Sequence, residues 1–538
     1  MIPGPFRVIT TTELSSDAST ITLSDFSGIP SGSKHLVLML SAKASAGTPE
    51  VYLRFNNDSG SNYHYERMRG VSSSSLAARS TSQTQIVVQA QMSSSAYTFG
   101  GGMVIVPLYS GTSYQKTISA QTGDTIDSVE ITHGRWASTA AITRVDFVLS
   151  SNNFVAGSVA ILAVMDETYL VHSVDRASSG TVVLSAAGSE DDLTVVSHLR
   201  STRAAANDGV HIVINSDNTS ANYEAISWYA LGGTLTSYNH AQQWGGVPAS
   251  TAPAGVFGAG EMLIQQPNNG TNYPSFHALS GYDSGTEGFI ITFLGRRNSA
   301  ASITSIELDA ANGDMATGSF ASLYKLPRNR IVNSLVSTPT PTVSGTISPT
   351  TSEALFETMY SRDDSAGLDA NSTSFRLNDD AGANYGRYIF YSDASSIVSF
   401  QQPKAFPAGK IFHQHPHPSS NPGSGVYGGG CAFVIKPHKT DRYKYFFLHD
   451  GVPDSNTGVG LMILQTTRWD SVASITKWEL RNYDGSANLA VGTRLQIESS
   501  NTPAATSGFF FRFLSIAAPT VGLAAASSYL SWLTNASV

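Results

Sequence analysis

Three groups of residues have types and spacings that suit binding chemistry. His413, His415 and His417 alternate within Phe412-His413-Gln414-His415-Pro416-His417-Pro418. In an extended chain alternate residues share one face. Imidazole is a ligand for zinc, iron, copper or nickel, so this stretch is the candidate metal site. Its prolines and the following Ser-Ser-Asn-Pro-Gly give the competing expectation, a solvated contact loop. Trp228, Tyr229 and Trp244 are the candidate ligand-binding aromatics, suited to sugar stacking, with core or interface packing as the alternative. The runs Asn56-Asn57-Asp58 and Asn378-Asp379-Asp380 offer the oxygens that calcium takes. Against that, Asn and Asp cap their own backbone in hairpin loops, and the spacing is not that of an EF-hand.

Enzymatic constellations are missing from the sequence. It contains no His-Glu-x-x-His, no Gly-x-Ser-x-Gly elbow and no Gly-rich phosphate loop with lysine. The carboxylate groups Glu190-Asp191-Asp192 and Asp363-Asp364 fall in expected loops. A glycan-cleaving pair needs only two carboxylates placed in space, so a polysaccharide depolymerase is the weakest of the functional expectations. No catalytic residue is assigned.

The elements that must position these groups recur three times. A strand runs into an Asn/Asp loop ending in Asn-Tyr at Leu53–Tyr63, Ile212–Tyr223 and Phe375–Tyr385, the tyrosines lying 160 and 162 positions apart. A second mark follows: Ala140-Ala141-Ile142-Thr143, Ala301-Ser302-Ile303-Thr304 and Ala473-Ser474-Ile475-Thr476. Between them a glycine precedes an apolar run that stops at a proline: Gly100 to Pro107, Gly260 to Pro267, Gly430 to Pro437. Marks kept in one order three times indicate an internal triplication. Each copy consists of short β-branched and aromatic segments separated by Gly, Ser, Asn and Asp, the signature of strands and turns.

Composition agrees. Of 538 residues only 13% are charged, while 41% are hydrophobic and 10% aromatic, values of a folded chain with a Ser/Thr-rich surface. The net charge of −8 without a long basic run speaks against a nucleic-acid partner. The single cysteine, Cys431, rules out an intrachain disulfide. The N-terminus lacks the pattern of a secretory signal. The apolar stretch from Phe509 to Leu533 is interrupted by Arg512, Pro519 and serines, so no membrane span is expected.

The strand Arg54-Phe55 with the loop to Tyr63, the Ser138–Thr143 strand and Phe154–Ser158 resemble repeated β-sandwich, jelly-roll-like domains of uncharacterised bacteriophage virion structural proteins. The second copy departs from the pattern at Val213 and lacks the loop glycine. The resemblance implies an all-β chain of three tandem antiparallel β-sandwich (jelly-roll-like) domains. The expected boundaries are copy one at 1–174, copy two at 175–333, a linker at 334–349, and copy three with its tail at 350–538. It implies a virion surface component with other virion proteins as partners. The first expectation is a tail fibre or tail-tip protein mediating host-surface attachment, a homo-oligomer such as a trimer, with a host glycan as ligand. The alternative is a capsid decoration, cement or head-spike protein. Alternating His-x-His pairs also resemble those of some phage tail fibres, which hold an iron on a threefold axis. Apart from a metal at that stretch, no cofactor is expected.

Overall fold

The computed structural model describes residues 4–499, apart from 72–73, 90, 125–127, 187–191, 241, 269, 271, 327–331, 348–352, 363–370, 393–396, 403–410, 418–427, 453–460, 483–487 and 492. It is all β: among the described residues the helical elements are two 3-10 turns, Glu167–Tyr169 and Ser220–Asn222. The first copy contains β1 (Phe6–Glu13), β2 (Thr20–Leu23), β3 (His35–Ala42), β4 (Val51–Phe55), β5 (Tyr63–Val71), β6 (Ser74–Gln83), β7 (Ile86–Gln89), β8 (Gly100–Pro107), β9 (Lys116–Asp124), β10 (Ser128–Trp136), β11 (Val145–Leu149) and β12 (Val159–Met165). The second contains β13 (Leu170–Asp175), β14 (Val182–Ser185), β15 (Leu193–Leu199), β16 (Asn207–Ile214), β17 (Tyr223–Leu231), β18 (Thr234–His240), β19 (Gln243–Pro248), β20 (Gly258–Gln265), β21 (Ser275–Asp283), β22 (Gly288–Arg297), β23 (Ser305–Ala310) and β24 (Phe320–Lys325). The third contains β25 (Val332–Leu335), β26 (Thr342–Thr346), β27 (Ala354–Ser361), β28 (Asn371–Leu377), β29 (Tyr385–Ser392), β30 (Ile397–Gln402), β31 (Ile411–His417), β32 (Gly428–Ile435), β33 (Lys444–Val452), β34 (Leu461–Trp469), β35 (Lys477–Asn482) and β36 (Arg494–Ser499).

Each copy is an antiparallel sandwich of an eight-stranded and a four-stranded sheet, with one strand order three times over: β1-β12-β3-β8-β9-β10-β5-β6 over β2-β11-β4-β7, and the same order at the corresponding strands of copies two and three. In the four-stranded sheets β2, β4, β14 and β23 alternate as half-buried strands should. In β4, Val51, Leu53 and Phe55 are buried and Tyr52 and Arg54 only half-buried. Between its two sheets each copy has its own apolar core, built around Leu53 and Phe147, around Ile212 and Leu308, and around Phe375 and Leu480.

The eight-stranded sheets do not alternate. Every residue of β9, β10 and β21 is buried, Ser, Thr, Gln, His and Gly included. Their second face packs against the other copies. One shared cluster joins Met39 and Met103 of the first copy, Val196 and Tyr324 of the second, and Phe356 and Phe447 of the third. Another joins Met68 and Ile131, Trp228 and Leu294, and Phe390 and Leu464. The three sandwiches therefore form one body with a common interior.

Two boundaries differ from the sequence expectation. The border at 174/175 falls inside β13, which begins at Leu170. Residues 334–349 are not a spacer. The end of β25 lies there and pairs with β36, and β26 pairs with β35, so the segment supplies outer strands to both sheets of copy three. The Thr-Pro alternation that suggested an extended linker also suits the entry to an edge strand, where a proline costs no ladder hydrogen bond. A register correction accompanies this. The glycine-led strands start at Gly100, Gly258 and Gly428, and each is followed by a left-handed residue: Leu108 (φ 49°), Gln266 (φ 58°) and Lys436 (φ 53°). Pro267 and Pro437 thus correspond to Tyr109. The carbonyls of Tyr109, Pro267 and Pro437 accept the N–H of Ile142, Ile303 and Ile475 at 3.0, 2.9 and 3.2 Å.

Candidate functional site

The Asn/Asp loops are closed by hydrogen bonds within the protein. Asn56 Oδ1 accepts the N–H of Thr143 (2.9 Å) and of Arg144 (3.1 Å), while its Nδ2 donates to the Ala141 carbonyl (2.8 Å). Asn215 makes the same bonds to Thr304, Ser305 and Ser302, and Asn378 to Thr476, Lys477 and Ser474. All three asparagines sit at positive φ (50°, 53° and 49°), a conformation Asn tolerates better than most residues. This side chain ties together the first two repeat marks, so the motif pair is the signature of a clamp. The next acid is used as fully. Asp58 accepts from Gly60 N (2.8 Å), Asn62 Nδ2 (2.9 Å) and Trp136 Nε1 (2.7 Å). Asp380 repeats this with Gly382, Asn384 and Trp469. In copy two Arg297 takes the tryptophan's place and donates to Asp217 at 3.2 Å. Partial burial raises the pKa of Asp58 and Asp380, but these donors outweigh it and hold both below the usual carboxylate value. The loop carboxylates are structural acceptors, not an open calcium cradle.

The aromatic candidates are not surface rings. Trp228 is fully buried and lies 4.7 Å, centroid to centroid, from Phe390 of the third copy. Met68, Trp228 and Phe390 each stand five residues after the loop tyrosine, so equivalent positions of three copies meet in one cluster. Trp244 is buried in the second copy's core. Tyr229, half-buried, stacks on Phe289 at 5.9 Å. The three do not form one site. Of the two expectations for these rings the structure shows the packed one; that Trp228 is covered by the third copy was not legible, because an apolar ring on a sandwich's outer face reads as exposed when the neighbouring copy is not in view. His413, His415 and His417 lie on β31, whose backbone pairs Thr373 with His415 and Asn371 with His417; their side chains lie outside the described residues. Glu190, Asp191, Asp363 and Asp364 also lie outside them, and Asp192 is buried, accepting the Gln266 N–H at 3.0 Å.

What the structure does bring together are the seams between copies, and they repeat cyclically. Gln115 N of copy one donates to the Gly255 carbonyl of copy two at 3.0 Å. Tyr443 N of copy three donates to the Tyr97 carbonyl of copy one at 3.0 Å. These are one contact made twice: Gln115 and Tyr443 immediately precede β9 and β33, while Tyr97 and Gly255 lie three residues before β8 and β20. Side chains follow the same rule. Tyr114 of copy one packs on Phe257 of copy two at 4.5 Å, and Arg442 of copy three lies 4.1 Å over the Phe99 ring of copy one. Arg442 also donates to the Gly157 carbonyl at 2.8 Å. Between copies two and three, Tyr360 donates to the Tyr273 carbonyl at 2.6 Å. Strand β1 tightens the return seam, where Glu13 pairs with Lys439 at 2.8 Å and Phe6 meets Phe356 at 4.9 Å.

Polar groups inside this body are neutral or held. Lys116 Nζ donates to the carbonyls of Gly111, Tyr114 and Thr139, and Lys444 does the same with Lys439, Arg442 and Val472. Burial lowers both ammonium groups to about 8. His277 and His449 face each other edge to face at 5.3 Å across the seam of copies two and three. Burial lowers His133 and His277 to about 3. Glu357 stands on β27 where β3 has Leu38 and β15 has Val195, and burial raises it to about 8.

The class defined by this geometry is an all-β protein of three antiparallel sandwiches closed into one body. No protein-family model matches the chain, and no curated protein matches it either. Among solved structures it is similar to the LG1-3 region of the laminin alpha2 chain, at 10% identity over 90% of this chain and 96% of that one, with a TM-score of 0.14. It is also similar to domains LG4-5 of the mouse laminin alpha1 chain, at 12% identity over 60% of this chain and 90% of that one, with a TM-score of 0.15. Scores this low carry no argument about descent or activity. No helix among the described residues is long and apolar enough to cross a membrane.

Proposed function

We propose that the chain is a non-enzymatic structural component of the surface of a bacteriophage-type virion. The observation that carries this reading is the cyclic repetition of the seam contacts, Gln115 to Gly255 and Tyr443 to Tyr97. Two of the three seams thereby share one contact in cyclic order, and strands of the eight-stranded sheets are buried on both faces, as in a closed trimer. Such a body suits a place of threefold or pseudo-threefold symmetry on a particle. It suits that better than a string of sandwiches lengthening a fibre, because consecutive copies share an interior. A tail-tip position contacting host glycans and a head-decoration or spike position both meet this requirement.

Gold-labelled antibody against the chain, imaged on intact particles by negative-stain microscopy, tests the reading. Label at the tail tip assigns host attachment, and label over the head assigns decoration. Particles that carry no label overturn the virion assignment.

A further inference from the structure

The two seams that repeat one backbone hydrogen bond differ in what they display. At the first, the partners are Gln115 and Gly255. At the other, the same two positions are Tyr443 and Tyr97, whose rings lie 5.6 Å apart, tilted by 46°. Tyr97 is 51% exposed and Tyr443 is half-buried. Arg468, ion-paired to Asp470, lies 5.5 Å over the Tyr443 ring and holds it from behind.

The first seam is an internal control. At these two positions it carries no ring, its Tyr114–Phe257 pair standing one residue before Gln115 and two after Gly255, so the shared backbone bond does not demand rings there. The backbone goes further. Gly255 adopts φ +76°, and Tyr97 is held at φ 61° in the same left-handed region. A bulky residue there is strained, and strain of this kind persists where something other than folding requires the side chain. An exposed ring pair backed by a guanidinium is too small for a stable protein partner, which needs roughly 800 Å² on each side, whereas two aromatic side chains bury at most about 250 Å² each. It matches one or two sugar rings, whose C–H faces stack on aromatic rings while their hydroxyls reach phenol and carboxylate oxygens. Asp441, two residues from Tyr443, adds a carboxylate 50% exposed at the side chain and ion-paired to Arg442 at 2.8 Å.

From this we infer that Tyr97 and Tyr443 form a carbohydrate-binding subsite at the seam between copies three and one. The inference rests on the proposed surface role and names the ligand class for it. The full-length chain is applied to an array of bacterial capsular and lipopolysaccharide fragments, together with the double variant Tyr97→Gly, Tyr443→Gln, which gives this seam the residues of the other. The wild type is expected to retain at least one saccharide, and the variant to lose at least tenfold in affinity with its melting temperature unchanged or slightly raised. Unchanged binding by the variant overturns the subsite, as does an array on which the wild type binds nothing. Light scattering covers the remaining occupant: self-association that the double variant abolishes assigns the rings to a second copy and overturns the carbohydrate. These outcomes are separate from particle labelling, which tests the surface role alone.

Discussion

Gly281 on β21 of the second copy faces His133 on β10 of the first so closely that a Cβ on Gly281 would lie 2.7 Å from His133 Cγ. The relationship recurs one step round the body, where a Cβ on Gly123 would lie 2.7 Å from Thr466 Cγ2 of the third copy. Glycine here serves close approach, to the facing copy and to the neighbouring strand's carbonyl oxygen (Phe289 O at 2.5 Å, Ser128 O at 2.6 Å), not turning. Gly281→Ala should therefore cost about 1–3 kcal/mol through overpacking against Phe289 O and the His133 ring. Gly111→Ala, where the nearest atom is 3.4 Å away, should be near neutral. Denaturant melts of the two variants compare them directly, and equal stabilities would remove the close-packed seam.

The asparagine clamp separates into a side-chain part and a backbone part. Asn378→Ala removes bonds to Thr476, Lys477 and Ser474 and places alanine at positive φ. Asn378→Gly removes the same bonds but tolerates the conformation. Both should destabilise by about 2–3 kcal/mol from the lost bonds, with the alanine variant worse by roughly 1 kcal/mol. Chemical denaturation at neutral pH checks the order, and a glycine variant as unstable as the alanine one would contradict it.

Glu357 gives the alkaline side of the stability profile. Burial raises its folded value to about 8, above the ordinary 4.5. The folded state then holds its proton more tightly than the unfolded one. This group's contribution is complete below pH 4.5 and is lost as pH rises towards 8. Glu357→Leu, the residue at the first copy's equivalent position, should flatten the melting temperature across that window and raise it at pH 8. A wild-type profile already flat from pH 4.5 to 8 would refute the buried neutral carboxyl.

The seam histidines give the acid side. Burial lowers His277 to about 3 from 6.5, so the unfolded chain binds its proton first. This contribution is intact above pH 6.5 and is lost as pH falls towards 3. His277→Gln should move the acid-unfolding midpoint to lower pH while changing stability little at pH 7.5. An unshifted midpoint, read by intrinsic fluorescence, would place the acid sensitivity elsewhere.

The limits of sequence reading follow from particular residues. Leu53, Phe55 and the loop to Tyr63 announced a strand and a turn because the four-stranded sheets have one wet face, and a wet face leaves alternation in the sequence. Strand β9, Lys116–Asp124, announced nothing of its burial, because Lys116, Ser119 and Asp124 are polar residues hydrogen-bonded inside the body. Proline matching misplaced the start of β20 and β32 by two residues. The left-handed residues Leu108, Gln266 and Lys436, which fix that register, share no identity.

By itself the sequence determined the all-β class and the triplication, since strand patterning and turn chemistry act over a few residues within one copy, whereas the asparagine clamp joins marks some 87 residues apart and showed only in the fold. Only the tertiary structure decided that residues 334–349 complete a sandwich, that Trp228 meets Phe390, and that Tyr97 and Tyr443 stand together at a seam. Those facts depend on which face of one copy meets which face of another. Burial between copies is a property of three-dimensional packing, and each strand's own sequence is compatible with either a wet or a covered face.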